Sequence, residues 1–210
     1  MCRQTVNFDM GSVITHERLR DAGVGAYFRP RDVVLLGVTY YQLQKWVADG
    51  SVESFGNGLY RQAKVEATEM ETIAMVASVV PHAIVCLLSA LRVHEIGTQS
   101  PYQVWLAIDR KARKPTRLPT SARIVRFSGP MLTYGVSNTS ILGVSVRITS
   151  PARTVVDCFR YRNKVGLDVA MEALGDAVRS RKALVSEIDR AAHVCRISTV
   201  IAPYLAALSV

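Results

Sequence analysis

The chain has 210 residues, 49% of them hydrophobic and 20% charged, a composition that excludes disordered and collagen-like proteins. Its 26 Lys and Arg outnumber its 17 Asp and Glu, and the net charge of +9 is typical both of nucleic-acid-binding proteins and of soluble proteins rich in arginine. The excess is spread along the chain, with +2 in residues 1–65, +4 in residues 66–149 and +3 in residues 150–210.

The cysteine and histidine positions indicate neither a metal site nor a cofactor. The four histidines are not spaced like metal ligands, and no two cysteines lie close enough in sequence to form a zinc-binding pair. Three of the cysteines lie in apolar patterns, which predicts buried free thiols and a reducing compartment. Because no signal-peptide pattern opens the chain, we expect a cytoplasmic protein. The cysteines are Cys2, Cys86, Cys158 and Cys195.

The first elements of the chain are predicted to be short helices separated by glycines. Ile14–Ala22 is expected to form a helix that ends at Gly23. A second helix is expected to begin at Pro30, since a first helical turn does not need the donor that proline lacks, and to end before Gly37. Thr39 is predicted to cap a third helix. The buried stripe of this helix recurs at spacings of three and four: Leu43, Trp46 and Val47.

A hairpin is predicted after the third helix. Asn57-Gly58 lies between apolar-containing flanks in the segment Ser51–Arg61, and a tight hairpin turn needs the positive φ that these residues tolerate. Helix, glycine turn, helix, glycine and hairpin follow one another in the order of a winged helix-turn-helix, whose second helix enters the DNA major groove. The sequence therefore predicts a DNA-binding domain over residues 1–65.

The polar side of the third helix and the hairpin supply the candidate contacts with double-stranded DNA. Glutamine can pair with adenine, lysine can reach guanine or phosphate, and tyrosine hydroxyls commonly bond to phosphate. The alternative is a small helical domain with a solvated polar face. Because this domain has few cations, a single copy should bind DNA weakly. Tighter binding would need a homodimer or contacts from the rest of the chain. The candidates are Thr39, Tyr40, Tyr41, Gln42, Gln44, Lys45, Asn57 and Arg61.

Residues 66–210 are predicted to form a mixed α/β domain with a small sheet and flanking helices, which makes the whole chain α+β. The uncharged stretch Ile73–Leu91 approaches membrane-spanning length. Pro81 and His82 interrupt it, so no membrane span is expected. We expect two short buried helices instead, Met70–Val80 and Ala83–His94.

Strands and further helices are predicted downstream. Alternating apolar residues predict strands over Tyr102–Ile108 and Val144–Ile148, and Arg123–Phe127 is a less regular third strand. Ser150 and Pro151 are predicted to cap and begin a helix. The remaining helices are expected around Leu167–Val178, Leu184–Val194 and Thr199–Leu208.

A basic loop joins two of these strands. Residues 109–119 contain two prolines and no apolar periodicity, which indicates an exposed segment. Its cations would contact a DNA backbone or an acidic or RNA-bound partner, or they belong to a solvated linker, and the sequence favours neither interpretation. They are Arg110, Lys111, Arg113, Lys114 and Arg117.

Several segments together resemble the AbiEi-type antitoxin family of bacterial type IV toxin–antitoxin systems. The resemblance lies in the winged segment ending GNGLYR, in CLLSALRVHEIG (Cys86–Gly97), in GVSVRITSPARTVVDCFRYR (Gly143–Arg162) and in the helical tail GLDVAMEALGDAVRSRK. It covers nearly the whole chain in the right order. Its most specific part combines Ser89-Ala90-Leu91 and His94 with Ser150-Pro151-Ala152-Arg153-Thr154 and Asp157.

The resemblance implies two activities. The winged domain would bind and repress the promoter of its own operon, and the second domain would counteract a nucleotidyltransferase toxin that acts on tRNA, without a stable complex being assured. The alternative is a stand-alone winged-helix transcriptional regulator whose second domain senses a ligand or dimerises. A nucleotidyltransferase gene beside this one would favour the antitoxin.

No enzymatic activity is expected. No paired carboxylates suited to magnesium follow Gly11-Ser12, the predicted strands lack an acid-x-lysine pattern, and no phosphate-binding glycine loop occurs. Arg153 and Asp157 are spaced for an i,i+4 ion pair. Ser150 is better explained as an N-cap than as a nucleophile, and His94 as a capping or core residue than as a general base.

Overall fold

The computed structural model describes residues 15–63, 65, 68 and 70–207. The chain divides into two compact units, Met1–Glu66 and Ala67–Val210, one residue from the boundary expected after residue 65. Each unit has its own sheet and its own hydrophobic core, and the described part of the chain is mixed α+β.

Where the structure describes it, the first unit contains two α-helices and a three-stranded antiparallel sheet of order β1-β3-β2. A 3₁₀ turn at His16–Arg18 stands where a helix was expected over Ile14–Ala22, and Ile14 lies outside the described residues. The regular elements are β1 (Tyr27–Phe28), α1 (Pro30–Val34), α2 (Tyr40–Ala48), β2 (Val52–Ser54) and β3 (Tyr60–Gln62).

The helices of this unit begin and end where the proline and glycine positions predicted. Pro30 is the first residue of α1. Gly37 and Gly50 follow α1 and α2 with φ of 79° and 75°, a region that other residues rarely adopt. Leu43 and Trp46 are buried in the core of the unit and hold α2 against the sheet.

The hairpin forms where Asn57-Gly58 predicted it, with a longer turn than a two-residue loop. The register of β2 and β3 ends at the pair Ser54–Tyr60, which leaves residues 55–59 as the loop. The three residues at its tip all have positive φ: Gly56 at 76°, Asn57 at 52° and Gly58 at 72°.

The second unit is built on a five-stranded mixed sheet of order β6-β5-β4-β8-β7. The central strand β4 pairs antiparallel with β5 and parallel with β8. The outer pairs are parallel for β5 and β6, and antiparallel for β7 and β8. The strands are β4 (Ile84–Val85), β5 (Val104–Asp109), β6 (Ala122–Phe127), β7 (Val136–Ile141) and β8 (Val144–Thr149).

Two predictions about this sheet were wrong. The expected helix Ala83–His94 divides into β4 and the shorter helix α4 (Leu87–Val93), because a short apolar run does not distinguish a buried strand from a buried helix. The edge strand β7 was missed, because its polar sequence VSNTSI lacks a continuous apolar alternation.

Helices cover both faces of the sheet. One face packs against α3 (Glu71–Val79), which contacts β8 and β5. The other face contributes Trp105 and Ala107 to a core shared with the remaining helices. Residues 104–108 of β5 are therefore buried on both faces, while Tyr102 lies outside the strand and is 89% exposed. The remaining helices are α4, α5 (Pro151–Arg160), α6 (Arg162–Val165), α7 (Leu167–Arg179), α8 (Val185–Val194) and α9 (Ser198–Ala207).

The connection between β6 and β7, residues 128–135, runs from one edge strand of the sheet to the other. Arg153 in the first turn of α5 holds it in place. Its Nη1 donates to the carbonyl oxygen of Tyr134 at 2.7 Å, and its Nη2 donates to that of Met131 at 3.2 Å. Arg147 Nη2 also donates to the carbonyl oxygen of Leu132 at 3.2 Å. The segment that links the two edges of the sheet is thus fixed by two arginine side chains.

Three cysteines, Cys86, Cys158 and Cys195, are free and buried, as predicted, and Cys2 lies outside the described residues. Across the described ranges, no helix is both long enough and apolar enough to cross a membrane.

Candidate nucleic-acid interface

One side of α2 is exposed, opposite the stripe that anchors the helix in the core. Tyr40 and Tyr41 are 70% and 79% exposed, and Gln44 and Lys45 are exposed on the next turn. This side therefore presents two aromatic rings, one amide and one ammonium group. These are groups that can contact base edges and phosphates in a DNA groove.

Thr39 and Gln42, two of the predicted contact residues, cap the start of the helix. Thr39 Oγ1 accepts a hydrogen bond from the Gln42 backbone N at 3.2 Å, while Gln42 Oε1 accepts from the Thr39 backbone N at 2.8 Å and from its hydroxyl at 3.0 Å. The reciprocal pattern is a capping box, which satisfies backbone donors at the helix start. The side chains of these two residues therefore position α2, and Thr39 is exposed at its start.

Replacing Thr39 with alanine is expected to lower the free energy of unfolding of the first unit by about 1 kcal/mol, because the cap is lost. The chain has two tryptophans, one in each unit, so urea unfolding in a Trp105→Phe background reports the first unit through Trp46. Thr39→Ser keeps the capping hydroxyl and should cost much less. Equal losses in the two variants would mean that the cap does not stabilise α2.

The hairpin residues are held by arginines. Arg29 Nη2 donates to the carbonyl oxygen of Asn57 at 3.1 Å and ties the exposed hairpin tip to the start of α1. Arg61 pairs with Glu53 across the strands at 3.3 Å and donates to the carbonyl oxygen of Val65 at 2.9 Å. Its side chain is 15% exposed, and these contacts hold it against the hairpin.

Exposed apolar side chains near α2 were not anticipated. Val34 and Leu35, at the end of α1, are 58% and 92% exposed, and Phe55 in the hairpin loop is 44% exposed. The run Val33–Leu36 could not reveal which member faces outward, because α1 is too short to display a helical period. Three exposed cations of the first unit were also missed: Arg18, Arg20 and Arg31.

In the second unit, Ser150 and His94, the two residues considered as catalytic groups, form hydrogen bonds that give them structural roles. Ser150 Oγ accepts from the Arg153 backbone N at 3.4 Å, as an N-cap does. His94 Nε2 lies 2.6 Å from the carbonyl oxygen of Thr149. Burial lowers the pKa of His94, which favours a neutral ring that donates to this carbonyl.

The ion pair of Arg153 and Asp157 forms at 2.9 Å, but it is fully buried rather than on an exposed helix face. The guanidinium also lies 5.0 Å from the ring centroid of Phe127. Burial is the main cause that raises the pKa of Asp157 to about 6, against the opposing effect of Arg153. Asp157 Oδ2 is buried and has no hydrogen-bond partner in the described structure, which agrees with a poorly solvated carboxylate.

In the described ranges, no group of three His, Cys, Asp or Glu side chains could hold a metal ion. A scan against protein-family models gives no match, and no curated protein matches the chain at a significant level.

Proposed function

We propose that the first unit is a winged helix-turn-helix that binds double-stranded DNA, with α2 in the major groove and the β2–β3 hairpin as the wing. The observation that carries the proposal is the exposed side of α2. Its opposite side is fixed in a core by Leu43 and Trp46, so the exposed groups have a defined direction. Short helix, turn, capped helix and hairpin follow one another in the order that this class of DNA-binding domain uses.

Among the four groups on this side, Gln44 and Lys45 are the proposed base and phosphate contacts. An amide can donate to and accept from adenine, and an ammonium group reaches guanine or phosphate. Tyr40 and Tyr41 occupy the first turn, where a recognition helix approaches the bases, and their rings offer apolar contacts with thymine methyl groups.

We further propose that the chain is an antitoxin that represses its own promoter and counteracts a nucleotidyltransferase toxin in the cytoplasm. The support is the resemblance of the segments around GNGLYR, Cys86–Gly97 and Gly143–Arg162 to AbiEi-type antitoxins. Co-expression with the product of a neighbouring nucleotidyltransferase gene tests this step, since the antitoxin should restore growth. Promoter repression without rescue would leave the stand-alone transcriptional regulator as the function.

DNA binding is tested with the double variant Gln44→Ala/Lys45→Ala and the chain's own promoter region. We expect the affinity for this duplex to fall roughly 10- to 100-fold, because one bidentate base contact contributes about 1–3 kcal/mol of discrimination. Fluorescence anisotropy with the promoter duplex measures the loss. Both residues are exposed, so the fold should be unaffected.

The matched control is Asn163→Ala/Lys164→Ala on α6, which removes the same kinds of side chain from adjacent exposed positions in the second unit. This variant should bind the promoter like the unaltered chain. Unchanged affinity in the α2 variant, or an equal loss in both variants, would contradict the proposed recognition helix.

A further inference from the structure

The loop between β5 and β6 carries five exposed cations. These two strands are adjacent and parallel, so the chain must travel back along their whole length before β6 begins. The register pairs Asp109 with Phe127 and Val104 with Ala122, so this return covers about 17 Å at roughly 3.3 Å per residue. Parallel crossovers usually contain a helix, whereas residues 110–121 contain neither helix nor strand.

The start of this loop is fixed to the sheet. Arg126, on the edge strand β6, donates from Nη1 to the carbonyl oxygens of Asp109 at 2.9 Å and Ala112 at 2.5 Å. The carboxylate of Asp109 accepts from the backbone N of Lys111 at 2.7 Å. The acidic residue that precedes the loop in sequence is therefore used to form the turn.

The cations of the loop have no such partners. Residues 110–121 include no Asp or Glu. Arg110, Lys111, Arg113, Lys114 and Arg117 are all exposed, and within the described structure none of the five forms an ion pair or a side-chain hydrogen bond. The beginning of β6 adds a sixth exposed cation, Arg123, whose guanidinium lies 4.6 Å from the ring centroid of Trp105.

We infer that this basic loop binds the phosphate backbone of a nucleic-acid duplex, independently of base recognition by α2. The return covers about 17 Å, a distance that spans about five phosphates of one DNA strand at one charge per 3.4 Å of helix axis, and it carries five cations. Residues 110–121 contain no aromatic side chain, so the loop lacks the stacking platforms that single-stranded ligands need. Cations without base-reading partners favour contacts that do not depend on sequence.

The test compares two variants of the full chain that carry the same net charge. The loop variant changes the five loop cations to glutamine: Arg110, Lys111, Arg113, Lys114 and Arg117. The control variant changes five exposed cations of the helical layer to glutamine: Lys164, Arg179, Arg181, Arg190 and Arg196. Anisotropy with a fluorescent 24-base-pair duplex of random sequence, at several salt concentrations, measures affinity and its salt dependence.

The logarithm of the binding constant should fall less steeply with the logarithm of salt in the loop variant, with a slope smaller by about 4 to 5, since five phosphate contacts contribute about 0.9 each. The control variant should keep the slope of the unaltered chain. The Gln44→Ala/Lys45→Ala variant should keep most of it too, so failure of the α2 proposal and failure of this one give different results.

Three results would overturn the inference. The first is an unchanged slope in the loop variant, and the second is an equal decrease in both five-site variants, which would indicate a general charge effect. The third is displacement of the duplex by polyglutamate as efficiently as by unlabelled duplex at equal charge concentration, which would assign the loop to acidic protein partners. Thermal unfolding of both variants checks that the fold is retained.

Discussion

Replacing Arg153 with methionine is expected to lower the free energy of unfolding of the second unit by about 3–5 kcal/mol. The substitution leaves Asp157 buried without its partner, and an unpaired buried charge carries a penalty of this size. It also removes the donors to the carbonyl oxygens of Met131 and Tyr134. Urea unfolding in a Trp46→Phe background, followed through Trp105, reports the second unit alone.

The double variant Arg153→Met/Asp157→Leu is the control for this prediction. Replacing both members of a buried ion pair by apolar groups is often close to neutral, so it should recover a large part of the loss. If the double variant is as unstable as the single one, the cost lies in the lost carbonyl contacts rather than in the unpaired charge.

The free energy of unfolding of the second unit should depend on pH because Asp157 titrates. Its pKa is raised from 3.8 to about 6 in the folded chain, mainly by burial, so between these values the folded state binds more protons than the unfolded state. Protonation of the Asp157 carboxyl therefore adds to the free energy of unfolding at low pH. This contribution is lost as the pH rises through about 6. Acidification from pH 7.5 to pH 5 should raise the free energy of unfolding of the second unit by about 1–2 kcal/mol through this group.

The comparison is made between the unaltered chain and Asp157→Asn, because all other titrating groups are common to both. The difference between their unfolding free energies should grow in favour of the unaltered chain on acidification through pH 6. A difference that stays constant from pH 7.5 to pH 5 would show that Asp157 keeps an ordinary carboxyl pKa in the folded state.

Local signals in the sequence predicted the ends of elements well, and the reason is physical. Pro30, Gly37 and Gly50 act through their own backbone preferences, so their positions determine where α1 and α2 begin and end. Ser150 likewise caps α5 with its own side chain. The spacing Thr39-x-x-Gln42 is the pattern of a capping box, and it offered a sequence signal for the role that Gln42 has in the structure.

Features that depend on tertiary contacts were not accessible in this way. The i,i+4 spacing predicted the pair of Arg153 and Asp157, but it did not reveal burial, because the carbonyls that surround Arg153 come from Met131 and Tyr134. The same limit applies to Arg61, whose partners Glu53 and Val65 appear only once the hairpin has formed. Among the candidate contacts on α2, the helical period did predict exposed side chains, and Tyr40, Tyr41, Gln44 and Lys45 are exposed.

The connection of residues 128–135 has a consequence for how this protein can vary. Its two ends are attached to opposite margins of the sheet, and its middle is fastened by Arg153. Gly135 within it has φ of 60°, and a methyl group there would meet the Arg153 side chain at 2.9 Å. Insertions and deletions in natural variants should therefore avoid this segment, and they should accumulate where the backbone is exposed and makes few hydrogen bonds.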